Sequence, residues 1–317
     1  MKLSVIIPNY KNTGFLKKNL SLLEKQDFDD YEIIVAEDGG YCEENEETVR
    51  NTKNASYIFN EENLGFAATV NNGIAKAEGK YVFLLNNDAF VAKGCLKNLV
   101  ETFEEESKKR KIFSVQCKMI SDQNHEIMDN GGDFYNILGW ARVRGKDKKE
   151  SDYNERKDLF SACAGAALYD REVLLSLGGF DENHFAYLED VDLGYRARLN
   201  GYANIYEPAS VVYHVGSATS GSRYNEFKVK LAARNSIFLR YKNQTVLQKI
   251  VNFPFMEAGV IVKQLYFMKK GLGKAYREGI VEGRKLKKNL KNKRVDFKGK
   301  HKEVLKLEAE MIRNLRY

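Results

Sequence analysis

Residues 80–90 read KYVFLLNNDAF: five apolar or aromatic residues in a row, Tyr81 to Leu85, followed at once by Asn86, Asn87 and Asp88. An unbroken apolar run of this length fits a strand covered on both faces, as in parallel sheets flanked by helices. Ligands of such sheets sit beyond the carboxyl ends of the strands, where this polar triplet falls. Two amides and a carboxylate offer oxygens to a hard divalent cation such as Mg2+ or Mn2+, which takes one or two carboxylates plus substrate phosphates. A solvated turn closing the strand is the competing reading.

Working outward, LSVIIPNY (3–10) is a buried strand ending near Pro8, and FLKKNLSLLEKQ (15–26) an amphipathic helix. YEIIVAEDGG (31–40) and ASYIFN (55–60) are further strands, with GFAATVNNGIAKA (65–77) a helix before the opening stretch. Strand and helix signals in alternation predict an α/β fold with a mainly parallel sheet. Asn9, Asp38 and the 86–88 triplet all stand at strand ends, so they should meet in one crevice. Between about 110 and 215 the pattern becomes mixed, with strands in KIFSVQCKMI (111–120), SACAGAALYD (161–170) and ANIYEPASVVYHV (203–215). REVLLSLGG (171–179) is a short helix. EDVDLGYRARLNGY (189–202) is another, with three carboxylates in its first turn. A helix N-terminus stabilises such charges through its free N–H groups and dipole.

The 317 residues, 43% hydrophobic and 30% charged, describe a soluble globular chain with one large domain or a domain plus an appendage. The apolar run in MKLSVIIPNY is too short for a signal peptide, and no stretch of about 18 apolar residues predicts a membrane span. Cys42, Cys95, Cys117 and Cys163 are scattered without a CxxC pair, which argues for reduced thiols and against zinc. The net charge of +7 is concentrated between Lys263 and Lys302, where 15 Lys or Arg face 3 Asp or Glu.

Taken in order, SVIIPNY, IIVAEDGG, NLGFAATVNNGI, FLLNNDAFV, GAALYDREVLLSLGGFDE, FAYLEDVDLGYRARLNGY and HVGSATSG resemble the family 2 glycosyltransferases of GT-A (Rossmann-like) fold. Within that family they look most like the bacterial rhamnosyltransferase and galactofuranosyltransferase-like branch. The resemblance covers residues 1–243 and implies a catalytic domain there, with a helical basic extension over 244–317. It implies an inverting transfer of sugar from a nucleoside diphosphate, dTDP-L-rhamnose or a UDP-sugar, to a glycan or lipid-linked acceptor in cell-surface polysaccharide synthesis. Asp190, the second acid of Glu-Asp, is then the general base. Asp88 binds the metal with His214 as an extra ligand. Asn86 stands where the family's first Asp often does.

The same resemblance assigns Asp38 to the nucleobase, with Pro8, Asn9 and Tyr10 lining its pocket. Asn63, Gly65 and Phe66 form the loop over ribose and phosphates, beside Asn86 and Asn87. AEDGG departs from the commoner VDDGS at Glu37 and Gly40. Ala164, Gly165, Asp181 and Glu189 fall on the acceptor and sugar side, with a structural role as the alternative for Asp181 and Glu189. Asp192 caps its helix or pairs with Arg196, one turn on. Arg234 and Asn235 resemble an Arg-Asn element that carries no assigned chemistry.

The tail mixes Phe253, Phe255, Leu265, Tyr266 and Phe267 with clustered cations, as a basic amphipathic helix for anionic bilayers would. That places the protein in the cytoplasm, peripheral at the inner face of the plasma membrane. A solvated appendage and a homodimer contact are the competing readings. No nucleic-acid motif accompanies the charge. Two other functions compete: a nucleotidyltransferase, which would need a Gly- and Lys-rich phosphate loop that IIPNYKNTGF lacks, and an inactive carbohydrate- or nucleotide-binding relative, which need not have kept Asp88 and Asp190.

Overall fold

In the computed structural model, which describes residues 1–216 and 224–317, strands and helices alternate through the first hundred residues. The order is β1 (Leu3–Asn9), α1 (Thr13–Leu23), β2 (Tyr31–Glu37), α2 (Glu43–Arg50), β3 (Ala55–Phe59), α3 (Phe66–Lys76), β4 (Tyr81–Leu85), β5 (Ala89–Val91) and α4 (Cys95–Ser107). There follow β6 (Ile112–Ser121), β7 (Met128–Asn130), β8 (Asp133–Tyr135), β9 (Ala141–Val143), β10 (Lys157–Leu159) and β11 (Ala166–Asp170). Then come α5 (Arg171–Ser176), α6 (Glu189–Leu199) and β12 (Ala203–His214). The rest is helical: α7 (Glu226–Asn243), α8 (Val246–Val251), α9 (Phe253–Lys269), α10 (Gly273–Leu286) and α11 (His301–Arg313).

The main sheet runs β10-β12-β6-β11-β4-β1-β2-β3. β1 lies parallel to β2 and β4, β2 to β3, and β6 to β12, while β11 is antiparallel to both its neighbours. Alternation along β1 sorts its side chains between two cores. Leu3, Val5 and Ile7 pack with Leu16 and Leu20 of α1 and Leu96 of α4. Ile6 packs the other way, with Ala67, Val70 and Ile74 of α3 and Leu193 of α6. Both faces are covered, which is why these strands read as unbroken apolar runs.

One element departs from expectation. The opening stretch is two strands, not one: β4 stops at Leu85, the chain turns through Asn86–Asp88, and β5 pairs antiparallel with the end of β12. Residues 86–88 therefore form a corner between β4 and the His214 end of β12.

The C-terminal helices are fastened to the sheet unit at two places. Ala275, Tyr276 and Ile280 of α10 bury against Val229, Ala233 and Ile237 of α7. Leu307 and Met311 of α11 complete a core around Tyr135, Tyr195 and Leu199. The single basic amphipathic helix expected of the tail is divided. Exposed apolar residues gather on α8 and α9, and the cations cluster on α10 and residues 287–293. Among the described residues no helix is long and apolar enough to cross a membrane.

Candidate active site

Three strand ends meet as the alternation required. Asn87 Nδ2 donates to Asn9 Oδ1 at 2.7 Å, and the Asp38 N–H donates to the Asn9 carbonyl at 2.8 Å. Asn19 on α1 holds the corner from behind by donating to the carbonyls of Asn86 and Asn87. Glu37, the departure from the usual motif, is wholly buried beneath this point. Its carboxylate accepts from Asn9 Nδ2, Asn45 Nδ2 and the Lys11 N–H, all within 2.7 Å. A buried charge with three donors is stable where an unpaired one would not be, so Glu37 acts as a clamp on Asn9.

Asp38 accepts from Asn60 Nδ2 and from the N–H groups of Leu64 and Gly65 at 2.8–3.0 Å. It thus fixes the loop carrying Asn63, whose own Oδ1 also accepts from the Gly65 N–H. Gly65 has φ +83°, and a Cβ there would lie 2.5 Å from the Phe185 ring, so the position is closed to other residues. Phe66 opens α3 and meets Phe180 edge to face. Tyr10 is exposed beyond the end of β1, beside Gly39, and Pro8 stands within β1.

At the corner, Asp88 Oδ1 lies 3.2 Å from His214 Nε2, and His214 Nδ1 lies 2.8 Å from Asp129 Oδ2. Burial works to lower the His214 imidazole, but hydrogen bonds to Asp129 and Asp88 outweigh it and raise it to about 9. Lys146 pairs with the far side of Asp129. Among the described residues, no group of three or more His, Cys, Asp or Glu is arranged to hold a metal by itself. Asp88 and His214 are ion-paired here, and a cation shared between them would take the place of the Nε2 proton. Two adjacent ligands at about 2.1 Å from an octahedral ion stand about 3 Å apart. A carboxylate on the second ring nitrogen is the usual support for a ligating histidine.

Asp190 is half-buried in the first turn of α6. Its carboxylate accepts from the Val191 N–H at 2.8 Å and the Ala164 N–H at 3.3 Å. Asn86 in turn donates its N–H to the carbonyl of Gly165 at 2.9 Å, so residues 164–165 tie the 86–88 corner to the first turn of α6. Burial raises the Asp190 pKa, and its backbone donors pull the other way. Glu189 is buried with Oε2 unpartnered; burial first, then the Asp190 charge, pushes it well above the carboxylate range. Asp133 on β8 is raised for the same two reasons. Three acids so placed cannot all ionise together.

The loop before α6 is strained. Phe185, Tyr187 and Leu188 all have φ between +62° and +70°, a region costly for residues with a Cβ. The Arg-Asn element explains how it persists. Asn235 Nδ2 lies 2.8 Å from the carbonyls of His184, Ala186 and Tyr187, and Arg234 donates to those of Asn183 and His184.

Asp192 pairs with Arg196 as expected, but also with Lys242 and Asn243 of α7. Asp181 stands in the structural alternative left open for it. It is buried, bonded to Lys242 and Asn183, and caps the turn at 182–184, so no free oxygen is aimed at a ligand. Of HVGSATSG, residues 217–221 lie outside the described residues.

Asp133, Asp129, Lys242 and Glu37 escaped sequence reasoning as site residues. Glu37 left a signal as a departure from the usual motif, and Asp133 as an acid directly after the Gly131-Gly132 turn.

The model of the family described as Glycosyl transferase family 2 matches residues 4–178. A Campylobacter jejuni GalNAc(5)-diNAcBac-PP-undecaprenol beta-1,3-glucosyltransferase is 25% identical over 181 residues, 50% of this chain and 58% of that protein. A Mycobacterium tuberculosis N-acetylglucosaminyl-diphospho-decaprenol L-rhamnosyltransferase is 31% identical over 90 residues, 28% of each. Both matches span less than two thirds of the relative's length. An Escherichia coli K12 rhamnosyltransferase is 26% identical over 66% of this chain and 82% of its own. Among solved structures, GalNAc-T7 with UDP, GalNAc and Mn2+ superposes with TM-score 0.62 at 18% identity, over 76% of this chain and 47% of that one. Staphylococcus aureus TarS 1-349 with UDP-GlcNAc gives 0.55 at 19%, over 81% and 70%. At these identities the likeness is one of fold, and the fold is GT-A.

Proposed function

This chain belongs to glycosyl transferase family 2, and from that premise we propose that it moves a sugar from a nucleoside diphosphate to an acceptor hydroxyl with inversion. The observation that supports the reading is the link through residues 164–165, which ties the turn bearing Asp88 to the first turn of α6, where Asp190 stands. Asp38, Pro8, Asn9 and Tyr10 serve the base, and Asn63, Gly65, Phe66, Asn86 and Asn87 the ribose and diphosphate. Asp190 takes the acceptor's proton as the acceptor oxygen bonds to the anomeric carbon and the bond to the diphosphate oxygen breaks on the opposite face. A raised pKa suits a base working near neutrality. Mg2+ or Mn2+ held by Asp88 and His214 would neutralise charge on the departing diphosphate. Mn2+ accompanies UDP or GDP-mannose in two fold neighbours, which supports the assignment.

Rhamnose from a dTDP donor is the donor reading favoured by the rhamnosyltransferase relatives, with a UDP-sugar second. Their names, and that of the Campylobacter relative, support a lipid-linked saccharide acceptor. A membrane-side location follows: Val246, Leu247, Ile250, Val251, Phe253, Ile261 and Leu265 on α8 and α9 are more than half exposed, beside the basic α10. We divide the chain at 243/244 into catalytic domain and helical extension.

The test is Asp190→Asn, assayed with dTDP- and UDP-sugars and Mn2+. Nucleotide binding should persist while transfer falls by about 10²-fold or more. Undiminished turnover would leave Asp190 as a helix cap only.

A further inference from the structure

A cavity of about 580 Å³ opens between α7, α9 and the turn joining β8 to β9. It has the size of a small-molecule site. It begins at Tyr187 and Leu188, the residues immediately before Glu189 and Asp190, so it adjoins the acceptor side of the crevice. Lys228 on its wall feels the charge of Asp88, which places the cavity within electrostatic reach of the metal corner.

Its chemistry is two-fold. Trp140, Tyr266, Phe267 and Tyr276 give it an aromatic wall. Arg142, Lys228, Arg240 and Lys263 line it as well, and no carboxylate is among the described residues lining it. Lys263 is the telling member. Its ammonium lies 5.6 Å from the Trp140 ring centroid, and among the described residues it pairs with no acid. Burial first, then the Arg142 and Arg240 charges, depress its pKa to about 8. Arg240 has a carboxylate within 3.8 Å, that of Glu257, and Arg142 reaches solvent, so the uncompensated charge is the Lys263 ammonium, which is costly on an apolar wall unless an anion neutralises it. The wall is built, not incidental. Trp140 Nε1 donates to the Gly259 carbonyl at 3.2 Å, and a Cβ at Gly259 would stand 2.2 Å from the Leu138 carbonyl oxygen. Away from the cavity the same helix, α9, exposes Ile261 and Leu265.

We infer that this cavity receives the diphosphate and first prenyl units of a polyprenyl-linked acceptor, with Lys263, Arg142 and Arg240 on the phosphates and the aromatic wall on the chain. The inference rests on the lipid-linked acceptor reading and names where that acceptor is gripped. The longer prenyl chain would leave along the exposed face of α9 toward the bilayer, and the sugar end would lie toward Asp190.

Trp140 is the chain's single tryptophan, so its emission reports on the cavity directly. Farnesyl diphosphate, a soluble prenyl diphosphate, should change that emission saturably. Pyrophosphate and farnesol should each bind more weakly. Lys263→Met and Arg142→Ala should each weaken farnesyl diphosphate by about tenfold or more, the scale of one charge-assisted hydrogen bond, and leave donor-nucleotide affinity unchanged. Arg142 is exposed on its hairpin, so its variant folds independently of any role for Lys263 in packing. No spectral response, unchanged affinity in both variants, or displacement of the probe by phosphatidylglycerol vesicles would overturn the inference; the last would assign the cavity to a phospholipid headgroup. The titration needs no donor, so failure of the transferase reading would show separately, as absent nucleotide binding.

Discussion

Lys242→Met tests the hidden support of the catalytic helix. Lys242 is 2% exposed, and its ammonium bonds Asp181 and, at 2.9 Å, Asp192. Methionine keeps most of the aliphatic stem's volume, so little packing is lost. What goes is the charge. Asp192 would then keep only the Arg196 guanidinium, which also serves the carbonyls of Leu177 and Gly179, and Asp181 would lose its one ion-pair partner among the described residues. Breaking a buried pair from one side costs about 3–5 kcal/mol. Urea denaturation should show that loss as a lower midpoint with unchanged slope. The pH response adds a second reading. Burial alone would raise Asp192, but Lys242 and Arg196 hold it well below the carboxylate range. A depressed carboxyl adds stability above its unfolded value, about pH 4, and that stability is lost as pH falls. The variant should therefore lose less on acidification than the parent does. A loss below about 1 kcal/mol at pH 7, or an unaltered acid slope, would refute the account.

Asn235→Ala should free the strained 185–188 loop, lowering turnover by about tenfold or more with donor affinity nearly intact, as steady-state kinetics would show. Equal loss in both would mean general unfolding. Asp129→Asn should weaken Mn2+ affinity in the presence of nucleoside diphosphate by about 10- to 100-fold, measured by calorimetry. Glu189→Gln should flatten the pH dependence of stability. The native carboxyl is raised, so its stabilising contribution is full at acid pH and lost as pH climbs through the native value. The variant gains about 1.4 kcal/mol per unit of that raised pKa at high pH, and urea midpoints at pH 5 and 8 that move in parallel with the parent's would contradict this.

The strands, the GT-A order and the polar strand ends were legible because burial on both faces writes itself as continuous apolar runs. Asp88 and Asp190 were legible because they interrupt such runs or open a helix. Lys242 was not: at the end of α7 it reads as an ordinary basic residue in a last turn, and only contact with residues 50 and 61 positions away makes it a buried counter-ion. Asp129 was hidden for the same reason, and Asn235, named only by resemblance, had no role until its bonds to the 184–187 carbonyls were seen. The antiparallel strand β5 was missed because a turn of three polar residues inside an apolar stretch looks like a strand's end, not like a corner.

The position of α11 bears on how the chain is made. Met311 and Leu307 close the core that Tyr195 and Leu199 begin. A ribosome adding about 5–20 residues per second must synthesise another hundred or so residues after α6 before that core can close. For those seconds the nascent catalytic helix presents an open apolar flank. The stretch made during the wait includes α8 and α9, whose apolar residues Val246, Leu247, Ile250, Phe253 and Ile261 stay exposed in the finished chain. Closure of this core therefore follows synthesis of α8 and α9, and a chain shortened before α11 would leave Tyr135, Tyr195 and Leu199 without the side chains that cover them.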